Sequence, residues 1–222
     1  SDVSMMGTGT FGSRSSGVGG ASIQLAAKKI VEKCKPLVAH HLEVAVQDIE
    51  FDDGTFTVAG TDKTMSLIDA AKNAHNFMTA PPDFELGLDE WAAWSPPAPT
   101  FPNGCHVAEV EIDPDTGRTE IVRYCMVDDV GTVINPLLLE GQVHGGAVQG
   151  IGQIMCENMV WDEESGQMIS GSFMDYTMPR ADDCPSFEMG ENVVPTPTNP
   201  MGIKGAGEAG CVGAMPAVMN AV

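Results

Sequence analysis

The 222-residue sequence predicts an α+β fold of mixed helices and antiparallel hairpins. Three observations carry that expectation. Apolar residues recur at helical spacing after residue 21, and again in a long Gly-rich stretch over 137–155. Alternating segments flank acidic turn sequences, the mark of hairpins. No internal repeat runs along the chain, which leaves no sign of a solenoid or propeller.

Taken in order, residues 7–20 form a Gly/Ser/Thr loop. Ala21 opens a helix in which Ile23, Leu25, Ala26, Ile30, Val31 and Cys34 recur at helical spacing, and Pro36 is expected to interrupt it. Residues 44–58 read as strands, with Asp52-Asp53-Gly54 as a hairpin turn. Ser66 is placed to cap a short helix carrying Leu67, Ile68, Ala70 and Ala71. Residues 79–102 are rich in Pro and acids and read as a long irregular segment. In the next block His106, Ala108, Val110 and Ile112 alternate with Val107, Glu109 and Glu111. Asp113-Pro114-Asp115-Thr116-Gly117 turns the chain, and 119–128 returns it.

The apolar helix over 137–155 contains Gly141, Gly145, Gly146, Gly150 and Gly152. Each costs about 1 kcal/mol relative to Ala in a helix. That cost implies close approach of another helix, of backbone or of a bound group. Residues 160–171 read as a further hairpin around Glu164-Ser165-Gly166, and Pro195, Pro197 and Pro200 lead an extended segment into a final Gly-rich run. Two subregions are expected, 1–102 and 103–222. The opening without Met and the uncapped apolar end at 217–222 read as the ends of a fragment of a longer chain.

Composition narrows the function. Eleven Lys and Arg face 31 Asp and Glu, a net charge of −20. Nucleic acids and anionic membranes are bound by neutralising their charge with cations, so both are disfavoured as partners. No apolar run approaches the ~18–20 residues of a membrane span. The six Cys (Cys34, Cys105, Cys125, Cys156, Cys184 and Cys211) show no C-x-x-C spacing. They read as free thiols in a reducing, cytoplasmic setting rather than as zinc or iron–sulfur ligands. His106 and His144 each lack a second ligand at metal spacing and read as packed or solvated histidines.

Three stretches carry chemistry. The first is Gly9-Thr10-Phe11-Gly12-Ser13-Arg14-Ser15-Ser16-Gly17. With Gly7 it formally matches G-x-G-x-x-G, but too few residues precede it for the strand a dinucleotide fingerprint requires. It offers instead a row of amides and hydroxyls ahead of a helix, which suits an anion. The second runs from Asn135-Pro136 through Glu140-Gly141-Gln142-Val143-His144-Gly145-Gly146 to Gln149-Gly150-Ile151-Gly152-Gln153. The third is Met201-Gly202-Ile203-Lys204-Gly205-Ala206-Gly207-Glu208-Ala209-Gly210, a single carboxylate set among glycines. Glycine is tolerated where the chain turns sharply or approaches something closely, so Glu208 is placed to face a ligand.

In this order the three stretches resemble the molybdenum hydroxylases: the xanthine dehydrogenase, aldehyde oxidase and carbon-monoxide-dehydrogenase large subunits. The resemblance covers nearly the whole chain and corresponds to the C-terminal part of the molybdopterin-binding subunit. It implies that Gly12, Ser13, Arg14, Ser15 and Ser16 wrap the pterin and phosphate of a molybdenum–molybdopterin cofactor, with the cytosine dinucleotide form expected. It implies that Gln142 contacts the pterin edge, where a side-chain amide donates and accepts in one plane. Lys204, Gly205 and Gly207 join the cofactor contacts, and no residue of the chain ligates the metal directly. Glu208 matches the family's general base, which takes a proton as oxygen from water is passed to an electron-poor carbon. Lys204, four residues before Glu208, is also expected as a cation near it, where it would lower the carboxylate's pKa while burial would raise it. The implied substrates are aldehydes, purines or N-heterocycles, with carbon monoxide as the alternative. Ala209 follows Glu208 where carbon monoxide dehydrogenases usually carry Ser. The electrons released imply a [2Fe-2S] subunit and an FAD subunit as partners, in a dimer of heterotrimers. A non-catalytic cofactor-binding or assembly module is the rival reading.

Overall fold

The computed structural model describes residues 9–222; Gly7 and Thr8 of the first loop lie outside that range. The chain divides into two compact units, Gly19–Ser95 and a larger one joining the residues up to Val18 with Pro96–Val222. The two subregions expected from the sequence meet at 102/103. The described part of the Gly/Ser loop groups instead with the C-terminal unit, because Ser13 packs against Gly205 and Gly207.

In the smaller unit, helix α1 (Ala21–Leu42) and helix α2 (Leu67–Ala74) accompany an antiparallel sheet of β1 (Ile49–Asp52), β2 (Thr55–Val58) and β3 (Thr64–Ser66). Pro36 does not interrupt α1, contrary to expectation. The residues just after it, Leu37, Val38 and Ala39, are buried. Their packing outweighs the hydrogen bond that Pro removes, a loss of roughly 3 kcal/mol in an unsupported helix. The β1–β2 turn falls on Asp53 and Gly54, both with positive φ, as a two-residue hairpin requires. Ser66 accepts from the Asp69 amide at 3.0 Å and caps α2 as expected. Cys34, Val38, Ile49, Phe56, Val58 and Ala70 form the core of this unit.

In the larger unit, β4 (Asn103–Ile112) and β5 (Thr119–Asp129) form the expected hairpin, with a register shift between Glu109 and Val110. β6 (Phe187–Glu191) adds to β5 in parallel. Its short sequence carries no strong alternation, so this strand was not anticipated. Helix α3 (Pro136–Met155) starts at the Asn135 cap, whose side chain accepts from Leu138 N–H at 3.1 Å. Helix α4 (Ala209–Ala221) begins directly after Glu208 and runs through Pro216. The expected hairpin over 160–171 reduces to one bridge, Trp161↔Met168. Residues 79–102 are irregular, as expected.

The core of the larger unit lies between the β5 face and the two helices, around Tyr124, Met126, Val143, Ala147, Ile151, Ala214 and Val218. Glycines set the helix spacing. A Cβ on Gly150 would sit 2.8 Å from Cys211 O, and one on Gly146 would sit 3.1 Å from the Cys211 amide. A Cβ on Gly141 or Gly145 would meet nothing within 4 Å. Gly146 and Gly150 therefore serve helix–helix packing, while Gly141 and Gly145 face open space. Among the described residues no helix is long and apolar enough to cross a membrane.

Candidate functional site

The three chemistry-bearing stretches meet in the larger unit. Thr10, Ser13, Ser15 and Ser16 of the first loop, Gln142 with the start of α3, and residues 203–207 line one cavity of about 430 Å³. The Asn135 cap, Leu138 and Leu139 also line it, so the first turn of α3 faces the cavity. Pro136 has no N–H, and the Leu138 and Leu139 amides are already bonded to Asn135, so this turn supplies mainly apolar wall.

Close packing fixes the loops against each other. Gly12 and Ser13 both take positive φ, at 60° and 54°. For Ser this is a sparsely populated conformation, held by its surroundings. A Cβ on Gly205 would lie 2.6 Å from the Ser13 carbonyl oxygen. One on Gly207 would lie 3.0 Å from Ser13 Oγ and 3.8 Å from Gln142 Nε2. The two glycines of G-A-G-E are thus required by the approach of Ser13, and Gly207 leaves room between Ser13 and Gln142. Thr10 and Ser15 share a hydroxyl hydrogen bond of 2.7 Å on the same wall.

Glu208 lies at the border of this cavity, on a neighbouring hollow of about 290 Å³. Ser13 lines both spaces, and its hydroxyl donates to Glu208 Oε2 at 3.2 Å. Phe101, Pro102 and Val212 supply apolar wall to the hollow, and His106 and Asp128 supply polar wall. His106 is packed: Nδ1 lies 2.8 Å from the Tyr124 hydroxyl, and Nε2 lies 3.2 Å and 3.3 Å from the two Asp128 oxygens. Burial, and next the Asp128 carboxylate, push the Tyr124 phenol upward, so it stays protonated at neutral pH. From the sequence His106 reads as a lone packed or solvated residue, and nothing local marks Asp128 as its partner. The signal was present in the hairpin register, which pairs His106 with Met126 and Gly104 with Asp128. A side chain at 104 would collide with the Asp128 carboxylate.

Three other expected residues are placed as follows. Gly12 lines the Glu208 hollow and, with Arg14, a third hollow beneath the Pro96-Pro97-Ala98-Pro99 segment, and Arg14 lies over the Phe11 ring at 4.2 Å. Lys204 lines the main cavity, but its ammonium pairs with the buried Asp129 rather than with Glu208. Four residues along a glycine-rich loop are no guide to proximity, because the chain bends between them. Among the described residues, no cluster of three or more His, Cys, Asp and Glu side chains is placed to hold a metal ion.

Residues 1–185 match the molybdopterin cofactor-binding domain family. The chain belongs to this family. It is 39% identical over its full length to the carbon monoxide dehydrogenase large chain of Afipia carboxidovorans, covering 27% of that protein. It is 38% identical to the nicotine 6-hydroxylase large subunit of Paenarthrobacter nicotinovorans, over 97% of this chain and 27% of that one. The fold matches the structure of reconstituted CO dehydrogenase from Oligotropha carboxidovorans with a TM-score of 0.92 and 38% identity, over 99% of this chain and 27% of that one. The chain therefore spans about a quarter of the length of the relatives it matches.

The α+β architecture is that of the molybdenum hydroxylase large subunits. A molybdopterin group suits what the main cavity offers: serine and threonine hydroxyls, and a Gly207 cradle that a single methyl would fill. The Gln142 side-chain amide lines that cavity, and among the described residues nothing hydrogen-bonds to it.

Proposed function

We propose that the chain is the C-terminal part of the catalytic, molybdenum-binding subunit of a molybdenum hydroxylase, with Glu208 as its general base. The observation that carries this reading is the meeting of Ser13, Gln142 and Gly207 in one cavity with Glu208 hydrogen-bonded to Ser13 at its border. The bound cofactor would supply two-electron oxidation and the site of oxygen transfer. Ser13, Ser15 and Ser16 would hold its phosphate-bearing portion, Gln142 the edge of its pterin, and Gly205 and Gly207 would let it lie against backbone. Lys204 lines the same cavity with its charge already balanced by Asp129. Glu208 accepts a proton from the water that supplies the product oxygen, and the Ser13 hydroxyl orients the carboxylate for that transfer.

The substrate class in this reading is an aldehyde, purine or N-heterocycle. Carbon monoxide is the second reading, and the large-chain relatives at 39% identity favour it. Ala209 after Glu208 and the equally close nicotine 6-hydroxylase relative favour the first. The cofactor is taken to be the cytosine dinucleotide form. The [2Fe-2S] and FAD centres lie on partner subunits in a cytoplasmic dimer of heterotrimers.

The test uses the full-length subunit purified with its partners. Molybdenum content and reduction of an artificial electron acceptor are measured with carbon monoxide, aldehydes, purines and N-heterocycles. Glu208→Gln keeps size and hydrogen bonding but removes the base, so turnover should fall at least about 100-fold with molybdenum retained. Near-normal activity in that variant would refute the assignment of Glu208.

A further inference from the structure

We propose that Asp129 is a positioning residue for Glu208, acting through Lys204 to fix the start of the loop that carries the base. The inference rests on the reading of Glu208 above and adds a residue to it.

Asp129 ends β5 and is buried. One oxygen accepts from two amides, Gly131 at 2.9 Å and Val194 at 3.1 Å. The other accepts from the Lys204 ammonium. A single carboxylate thus ties three separate segments together. Burial alone would raise its carboxyl. The Lys204 bond, then the two amide bonds, win and hold it below the usual carboxylate range. Asp129 is therefore ionised at neutral pH, and removing either member of the pair leaves the other without its partner.

The backbone around this pair is stitched just as closely. Lys204 N–H donates to Val130 O at 2.8 Å, and Thr132 N–H donates to Gly202 O at 2.9 Å. Gly131 bridges Ile203, and a side chain at 131 would strike the Gly202 carbonyl. Asn199 closes the far side, with Nδ2 donating to Ile203 O at 2.7 Å and Oδ1 accepting from Ile203 N–H at 3.1 Å. After Lys204 the pattern changes. Gly205, Ala206 and Gly207 reach Glu208 with few fixed bonds, among them Ala209 N–H to Ala206 O at 3.3 Å. Three small residues cross from the last anchored point to the base. The anchor at Lys204 sets where that span begins, and α4 sets where it ends.

The experiment uses the full-length holoenzyme. Asp129→Asn keeps an oxygen for the two amides and removes the charge facing Lys204. Lys204→Met cuts the same link from the other side. Misplacing a catalytic group by about 1 Å costs up to about 100-fold, so kcat should fall about ten- to a hundred-fold in each variant. KM should stay within about three-fold, with kcat expressed per bound molybdenum because Lys204 lines the cofactor cavity. The double variant should be no worse than the poorer single, because both break one link. Hydrogen exchange read by mass spectrometry should rise in peptides covering 202–208 and not in β4 or α3. A kcat within two-fold of the parent, additive losses in the double variant, or unchanged exchange in 202–208 would overturn the proposal. If Asp129→Asn does not fold, Lys204→Met carries the test by the same criteria. An active Glu208→Gln would defeat the assignment of the base, whereas the exchange result would still decide whether Asp129 holds the loop.

Discussion

Ser13 donates its hydroxyl hydrogen to Glu208 Oε2 at 3.2 Å, across 195 positions of sequence. The bond joins the N-terminal Gly/Ser loop to the N-cap residue of α4. It depends on Ser13 holding a left-handed φ of 54°, which turns the side chain toward the base. The bond is exposed, and such a hydrogen bond contributes about 0.5–1.5 kcal/mol. Ser13→Ala should therefore lower kcat per bound molybdenum by up to about ten-fold in the full-length enzyme. Steady-state kinetics with an artificial acceptor checks this, and an unchanged kcat would remove Ser13 from the site.

Gly205 and Gly207 should tolerate Ala differently. At 205 the added carbon meets the Ser13 carbonyl at 2.6 Å, a backbone atom with little freedom to yield. At 207 it meets the end of the Ser13 side chain at 3.0 Å. Overpacking of the first kind costs about 1–3 kcal/mol. Gly205→Ala should lower both thermal stability and cofactor content. Gly207→Ala should keep stability within about 1 kcal/mol and lose activity. Melting curves and metal analysis on the two variants separate the cases, and equal melting losses would contradict this geometry.

The helix glycines divide in the same way. Gly150→Ala forces a carbon to 2.8 Å from Cys211 O and should destabilise the α3–α4 pair by about 1–3 kcal/mol. Gly141→Ala and Gly145→Ala add a carbon to open space and gain helix propensity, worth up to about 1 kcal/mol each. Denaturant melts of the three variants should show opposite signs. A destabilised Gly145→Ala in the full-length protein would mean that another part of the molecule covers this face.

Asp129 gives the protein a defined acid sensitivity. Its folded-state value lies below the unfolded one, so its contribution is fully present above the unfolded value of about 4. That contribution is lost as pH falls through the lower, folded value. Asp129→Asn should be less stable than the parent at neutral pH, and the gap should close on acidification below about pH 4. Urea melts across that range test the sign. A gap that widens toward low pH would contradict the ionised pair.

Local sequence determined much of this protein. The turn at Asp53-Gly54, the caps at Ser66 and Asn135 and the Gly-rich helix α3 rest on contacts within a few residues, and the β4–β5 hairpin on alternation either side of one turn. The G-x-G-E run and the Gly/Ser loop also marked themselves, because glycine and serine in such density suit close approach and little else. Tertiary structure decided the rest. Pro36 sits inside α1 because the residues after it bury themselves against the small unit's core. β6 becomes a strand because β5 offers it an edge. Lys204 turns to Asp129, which is 75 positions away, rather than to Glu208, which is four. His106 is matched to Asp128 by hairpin register and buried by α4, whose Gly213 leaves room for the ring. Sequence spacing reports neighbours along one element. Which elements face each other, and so which charges pair, is set by the burial of a shared core.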